Sequence, residues 1–256
     1  MERQNPRRKQ DSREALIEEH RPERIEARLQ RQPRSQQLSD FVLGAIDGCV
    51  TTFAIVAGAF GAGFSEAVVL VMGFANLIAD GFSMAVSNYE AASVEREQRA
   101  AATNTEREHI ALVPEGEREE IRQIFYQKGF RGEVLDNIVA TITANQKLWI
   151  ETMLAEEYGI SRAEHKPLRA ALMTFVAFLC VGAIPLLPYL LHSLNPAEQF
   201  YTSAGLSACA FFAIGLCKGL VFSHYLLLAG LKTLVFGGSA AVLALTVGYL
   251  LRHFVT

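Results

Sequence analysis

Long apolar stretches alternate with two highly charged regions along this chain. Five of these stretches are predominantly apolar, and each has the roughly 20 residues that an α-helix needs to cross the hydrocarbon core of a bilayer. They cover residues 41–64, 67–89, 170–191, 201–222 and 226–251. We therefore predict an all-α membrane protein with five transmembrane helices.

The charged regions are residues 1–38 and 91–168. The second is too polar to cross a membrane, but its apolar residues have helical spacing. One predicted helix continues out of the second span, another begins at Pro114, and a third helical region ends at Gly159. We predict a small three-helix domain at 91–168, inserted between the span pair in 39–90 and the three spans in 169–256. Residues 1–38 form a basic tail, predicted to be a solvated helix or a disordered arm.

Composition alone would suggest an ordinary soluble domain, because 50% of the 256 residues are apolar, 20% are charged and the net charge is -3. The segregation of charge overrides that impression. We expect the protein to lie in a lipid bilayer and not to bind nucleic acid. The four cysteines all lie in apolar stretches without a Cys-x-x-Cys pair, which is typical of small packing residues. The polar first forty residues predict no signal peptide.

Lys and Arg residues predict the orientation, since positive charges near span ends are retained in the cytoplasm. They are frequent in the tail and in 91–168, and absent from the turns at 61–66 and 192–200. We therefore predict a multi-pass protein whose amino terminus and 91–168 domain are cytoplasmic and whose carboxy terminus is outside.

Each of the first two spans contains a carboxylate, Asp47 or Asp80, followed by a glycine. A carboxylate within a span costs about 2.5 to 3.5 kcal/mol, so it needs a partner or a function. One interpretation is a cation site. The alternatives are an acid that reaches the interface from a helix end, or a pair with Lys218 or Lys232.

The second span also has a polar face that includes a thioether. Its members recur every four residues and share one side of the helix: Asn76, Asp80, Met84 and Asn88. Asp47 and Thr51 form a matching face on the first span. Oxygen ligands alone suit magnesium or calcium, whereas an added soft sulfur favours later transition metals such as iron. Met84 could equally be an ordinary packing residue.

The predicted 91–168 domain carries acids at helical spacing on each of its helices. The candidates for a divalent-metal cluster are Glu106 and His109, Glu117 and Glu120, and Met153 and Glu157. Converging carboxylates require a counter-charge, which a metal ion supplies. Solvated helix faces interleaved with Arg are the alternative. The neighbouring Glu108, Glu119 and Glu156 could replace the favoured positions.

Asp47-Gly48 with Thr51-Thr52, the run 83–85 at the end of the second span and the Glu-rich insertion resemble the vacuolar iron transporter family, over about residues 39–251. The resemblance implies a homodimer of five-span subunits with a metal path near the two-fold axis. It implies that Asp47 and Met84 are pathway ligands and that the insertion collects metal through Glu and Met side chains, most plausibly Glu106, Glu117, Glu120, Met153 and Glu157. Family members move Fe²⁺, and some Mn²⁺, out of the cytoplasm in exchange for protons.

Three positions depart from the family pattern. Asn88 stands where many members have a pathway glutamate, His109 where a glutamate is usual, and Leu154 where an acid can occur. Asp80, one turn before Met84, is the candidate for the missing carboxylate.

We therefore predict a transporter that exports Fe²⁺, with Mn²⁺ or Zn²⁺ as further cargo, and neither an enzyme nor a protein with a resident cofactor. Its membrane would be the cell or inner membrane in a bacterium and the vacuolar membrane in a eukaryote. One alternative is a di-iron carboxylate enzyme, because Glu106-x-x-His109 has the ligand spacing of such sites, although they need two copies. The other is a membrane metal sensor without transport.

Overall fold

The computed structural model of the protein describes residues 17–30, 35–161, 165–191, 193–222 and 225–255. From residue 22 onward, the described chain forms nine α-helices and one 3₁₀ segment. They are α1 (Pro22–Gln30), α2 (Ser35–Ala62), α3 (Glu66–Leu112), α4 (Pro114–Gln127), α5 (Gly132–Thr143), α6 (Gln146–Glu156), α7 (Pro167–Gly182), the 3₁₀ segment Ile184–Leu190, α8 (Pro196–Phe222) and α9 (Leu226–Val255).

The tail forms a unit of its own, residues 1–34. Its described part contains the polar helix α1 and an exposed ion pair of 2.8 Å between Arg21 and Glu18. The rest of the predicted tail, residues 1–16 and 31–34, lies outside the described residues.

Five helices of the described chain are long and apolar enough to cross a membrane, which confirms the predicted number of spans. They are Gln37–Ala62, Glu66–Leu112, Pro167–Leu190, Pro196–Leu220 and Leu226–Arg252. The first and second spans are separated by a tight turn at Gly63, whose φ of 74° favours glycine. The third span ends in the 3₁₀ segment, where Pro185 and Pro188 prevent a regular α-helix from continuing.

Helix α2 is the centre of the bundle and contacts all four other spans, most extensively α7 and α9. Two glycines allow α7 to approach: a Cβ at Gly44 would lie 2.1 Å from the carbonyl oxygen of Thr174, and one at Gly48 would lie 2.5 Å from that of Phe178. Small residues at such crossings are typical of membrane helices. The close packing fixes the position of Asp47, which immediately precedes Gly48.

Helix α3 continues without interruption past the second span and carries the segment between spans two and three. We call residues 91–161 the inserted segment. In it α5 packs against both α4 and α6, and α4 and α6 contact the extension of α3. Their shared core contains Ile121, Leu135, Val139, Ile142, Trp149 and Met153.

The third helical region predicted for the inserted segment is two helices in the structure. α5 ends at Thr143 and α6 begins at Gln146. Asn145 caps α6, because its side-chain oxygen accepts a hydrogen bond of 3.1 Å from the backbone N–H of Leu148. The prediction of one region was wrong because it followed the apolar spacing and overlooked this cap. The extension of α3 and helices α4–α6 together make four helical pieces.

Candidate functional site

Asp47 lies half-buried in α2, within the bundle of spans. One turn later, the Thr51 hydroxyl donates to the backbone carbonyl of Asp47 at 2.9 Å, and the Asn76 side chain donates to the Thr51 oxygen at 3.3 Å. These bonds join α2 to α3 without using the Asp47 carboxylate. No hydrogen bond within the described part of the chain uses that carboxylate.

Asp47 and Met84 line the same cavity, which has a volume of about 370 Å³. Its wall comes from α2, from Met84 of α3 and from Lys218 of α8: Leu38, Ser39, Val42, Leu43, Ile46, Asp47, Met84 and Lys218. The ion pairs of the described residues include none between Asp47 and a lysine. The structure thus brings the carboxylate and the thioether together without closing the carboxylate in a salt bridge.

Asp80 is exposed on α3 and lies near enough to Asp47 for the two carboxylates to interact electrostatically. It does not line the cavity that contains Asp47 and Met84. Ile78 and Phe82, each two residues from Asp80, are exposed at 60% and 63% on the opposite side of the helix. Asp80 therefore lies beside the cavity, on a span that is exposed on more than one side.

Asn88 joins three spans through hydrogen bonds. Its side-chain nitrogen donates to Asp40 Oδ1 at 2.9 Å and to Thr174 Oγ1 at 2.7 Å. Thr174 in turn donates to the backbone carbonyl of Asp40 at 3.2 Å. Asp40 is buried, with 6% of its surface exposed. At this position Asn88 acts as a connection between α2, α3 and α7, one turn from Met84.

The inserted segment brings carboxylates from three helices into one cluster, and we call it the acidic cluster. Glu106 of α3 and Glu117 of α4 are buried, at 1% and 4% exposure, and Met153 of α6 is fully buried. His109 Nδ1 lies 3.3 Å from Glu117 Oε1. One oxygen of each carboxylate, Oε2 in both cases, is buried without a hydrogen-bond partner.

The pKa values of two acids in the cluster are raised by burial and by the charges of neighbouring acids. Burial, reinforced by the charges of Glu106 and Glu120, raises the pKa of Glu117 to about 7. Burial, followed by the same two charges, also raises the pKa of Glu157. His109 opposes both shifts. All five predicted polar members of the cluster therefore interact electrostatically in the folded protein.

Two of the three alternative acids form ion pairs with basic residues outside the acidic cluster. Glu119 pairs with Arg122 at 3.5 Å and Glu156 with Lys128 at 2.5 Å. Glu108 is exposed. The acids that pair with Arg or Lys or are exposed therefore lie at other positions around their helices than the acids of the acidic cluster.

No three His, Cys, Asp or Glu side chains of the described residues are arranged so that they could already hold a metal ion. The acidic cluster therefore assembles donors without forming a finished coordination shell. Buried carboxylates that lack both a proton and a cation are unfavourable. Burial therefore favours the protonated form of Glu117, as its raised pKa shows.

Sequence reasoning missed two groups of residues. The Tyr158 hydroxyl donates to Glu106 Oε1 at 3.0 Å, and burial followed by this bond raises the pKa of Tyr158 to about 12. The His165 ring lies between two carboxylates, with Nε2 3.4 Å from Asp40 Oδ2 and Nδ1 3.2 Å from Glu95 Oε2. Tyr158 directly follows Glu157, which was a usable clue. Nothing in the sequence connects Asp40 with His165.

Five membrane spans, polar groups between them and an acidic helical insertion define a multi-pass membrane protein. The family model of the VIT family matches residues 38–249. The chain therefore belongs to the VIT family, as its resemblance implied.

Its curated relatives span nearly the same length. It is similar to "Vacuolar iron transporter 1" of Arabidopsis thaliana, with 30% identity over 84% of this chain and 86% of the relative. It is similar to "Vacuolar iron transporter 1" of Oryza sativa subsp. japonica, with 29% identity over 80% and 81%. "Vacuolar iron transporter" of Plasmodium berghei (strain Anka) is 28% identical over 84% and 82%. These names are names of transporters, which is consistent with a protein that is not an enzyme.

Proposed function

We propose that the protein is a divalent-metal transporter that moves Fe²⁺, and also Mn²⁺, out of the cytoplasm in exchange for protons. The observation that carries this proposal is the shared cavity of Asp47 and Met84 within the spans. The relatives named as iron transporters support it further. The metal is cargo, so no resident cofactor is required.

The ligand types favour a transition metal. A carboxylate binds any divalent cation, whereas a thioether adds little for magnesium or calcium and more for softer ions such as Fe²⁺. Lys218 shares the cavity, and its ammonium balances the charge of Asp47 when no metal is bound. Its long side chain can move its charge toward the membrane interface when a cation enters.

The acidic cluster would collect the ion before it enters the spans. Glu106 and Glu117 each have a buried oxygen without a partner, and Glu120 and Glu157 add charge. Met153 supplies a buried sulfur. A divalent ion that draws these donors together would remove their mutual repulsion. The cytoplasmic side follows from the Lys and Arg residues of the tail and of the inserted segment.

Proton exchange follows from charge balance in a medium of low dielectric. Asp47 and Asp80 lie near each other within the spans, and two bare carboxylates there are costly. When the metal leaves, protons restore neutrality. The same carboxylates therefore carry metal in one direction and protons in the other.

A homodimer would cover the exposed face of α3. Asp80 lies on that face together with Ser83 and Ser87, which are also exposed. Facing lipid, the carboxylate would cost about 2.5 to 3.5 kcal/mol. A second copy packed on this face would shield Asp80 and place two copies of the metal path side by side.

Metal flux into proteoliposomes tests the proposal. Fe²⁺, Mn²⁺ and Zn²⁺ are compared with and without a pH gradient, for the wild type and for Asp47→Asn. We expect flux of Fe²⁺ and Mn²⁺ that rises with the proton gradient and falls to near background in the variant. If Asp47→Asn transported Fe²⁺ as fast as the wild type does, the proposed path would be wrong.

A matched pair of methionines tests the thioether. Met84→Leu removes the sulfur from the cavity, and Met72→Leu makes the same change on the same helix at a position outside that cavity. Met84→Leu should lower Fe²⁺ flux more than flux of the harder ion Mn²⁺, and Met72→Leu should change neither. Equal effects of the two substitutions would contradict a ligand role for Met84.

The enzyme and sensor alternatives gain no support from the relatives, which are named transporters. In the structure, the histidine of Glu106-x-x-His109 faces Glu117 rather than a second copy of the motif.

A further inference from the structure

A polar cavity of about 360 Å³ lies between α3 and the start of α7, near the predicted end of the second span and start of the third. It is separate from the cavity that contains Asp47 and Met84. Its lining consists of Tyr89, Arg96, His165, Lys166, Pro167 and Leu168. Tyr89 is the last residue of the span predicted for α3, so the cavity lies at the level of lipid headgroups.

Two cations of this cavity are without a partner in the described part of the chain. Arg96 and Lys166 are both exposed, and neither makes an ion pair or a side-chain hydrogen bond with a described residue. His165, which also lines the cavity, contacts Asp40 with one ring nitrogen and Glu95 with the other. The cavity therefore offers two positive charges to an external anion.

An exposed apolar stripe runs from this cavity into the membrane. Leu168, Leu172 and Val176 follow one another at intervals of four residues along α7 and are 74%, 59% and 47% exposed. Residues at this spacing lie on one side of a helix. Tyr89, 40% exposed, adds the amphipathic ring that is enriched at membrane interfaces. Charge above and an apolar stripe below match the two ends of a phospholipid.

We propose that this cavity binds the headgroup of an anionic glycerophospholipid. The phosphodiester lies between Arg96 and Lys166, and an acyl chain follows the Leu168, Leu172 and Val176 stripe. Basic pockets between spans are suited to such headgroups, and each cation near the membrane surface contributes a factor of about five in affinity. The inference is independent of metal transport.

Native mass spectrometry of the full-length protein in detergent tests this site. The probes are phosphatidylglycerol and phosphatidylcholine with identical acyl chains. The wild type should retain phosphatidylglycerol preferentially, and the preference should weaken at high salt. Arg96→Gln and Lys166→Gln should each lower retention of phosphatidylglycerol about fivefold, whereas Arg96→Lys should keep most of it.

Lys147→Gln is the charge-matched control, because Lys147 is an exposed cation of the inserted segment that does not line the cavity. It should leave lipid retention unchanged. Inorganic phosphate and glycerophosphoglycerol, which lack acyl chains, are added as competitors and should not displace the lipid.

Three results would overturn the proposal: equal retention of the two lipids, equal losses in Lys147→Gln and Arg96→Gln, or displacement by inorganic phosphate. The last result would indicate a free-anion site instead. If the glutamine variants fail to fold, the Arg96→Lys variant and the salt series of the wild type give the answer. Metal flux is measured separately, so failure of this proposal and failure of the transport proposal are distinguishable.

Discussion

The substitution Glu117→Gln removes a charge that the folded metal-free protein holds at a cost. Glu117 is 4% exposed and lies against Glu106, and its pKa is raised from 4.5 to about 7. The folded state therefore binds more protons than the unfolded state between these two values. By linkage, stability falls as the pH rises through this interval. A glutamine has no such titration.

The size of the effect follows from the same pKa. At about 1.4 kcal/mol per pH unit, the rise to about 7 costs the folded state roughly 3 kcal/mol once Glu117 is ionised. The lost contact with His109 offsets little of this, because His109 is half exposed. The glutamine amide can also donate to Glu106 Oε2, which has no partner. We expect the metal-free variant to be more stable than the wild type above neutral pH and equally stable near pH 4.

The assay uses the single tryptophan of the chain. Trp149 is buried in the core of the inserted segment next to Met153, so its fluorescence reports unfolding of that segment. Urea unfolding in detergent with a chelator, from about pH 4 to pH 8, measures the difference between the two proteins. Glu119→Gln is the control, because Glu119 is an exposed acid of the same helix, and it should change stability by less than about 0.5 kcal/mol.

Two outcomes would refute the reasoning. One is a stability difference that does not grow between pH 4.5 and 7, and the other is a gain of equal size in Glu119→Gln. The same unfolding experiment with added Mn²⁺ is an independent check. Mn²⁺ should stabilise the wild type above neutral pH and stabilise Glu117→Gln less, because the variant has lost a ligand.

Three further substitutions have expected results. Gly48→Ala should lower the melting temperature in detergent and reduce flux, because its Cβ would lie 2.5 Å from a backbone oxygen of α7, whereas Gly238→Ala, which has open space, should not. Asn88→Ala should cost about 1 to 3 kcal/mol because it removes the donor to Oδ1 of the buried Asp40, measured by thermal unfolding; an unchanged melting temperature would contradict this. Tyr158→Phe should cost about 1 to 2 kcal/mol by removing the donor to a buried carboxylate, read from Trp149 fluorescence as above; unchanged urea stability would refute it.

The spans were predictable from the sequence because a bilayer imposes length and composition on every crossing helix. The predicted starts and ends differ from those observed by a few residues, as at the first span, which was predicted at 41–64 and runs over Gln37–Ala62. The continuation of α3 past the second span was also predicted. The division of the third helical region was not, because a single capping asparagine decides it.

The sequence could predict the candidate sites only where their residues share one face of one helix. Spacing placed Glu106 with His109 and Glu117 with Glu120, but it could not say whether the two helices face each other. The structure adds that relation through the contact between His109 and Glu117. The connection from Asn88 to Asp40 and Thr174 joins residues far apart in sequence, and no local pattern predicts it. The metal-ligand roles stay predictions.

Helix α3 contains 47 residues and no proline, and at a rise of about 1.5 Å per residue it is roughly 70 Å long. Met84 and His109 lie 25 residues apart on this one rod, which is close to seven full turns, so they emerge on nearly the same side of it. No loop or hinge separates them. A twist or tilt of the rod at its water-exposed end would therefore also move the intramembrane thioether, so that α3 rigidly couples the two proposed metal sites.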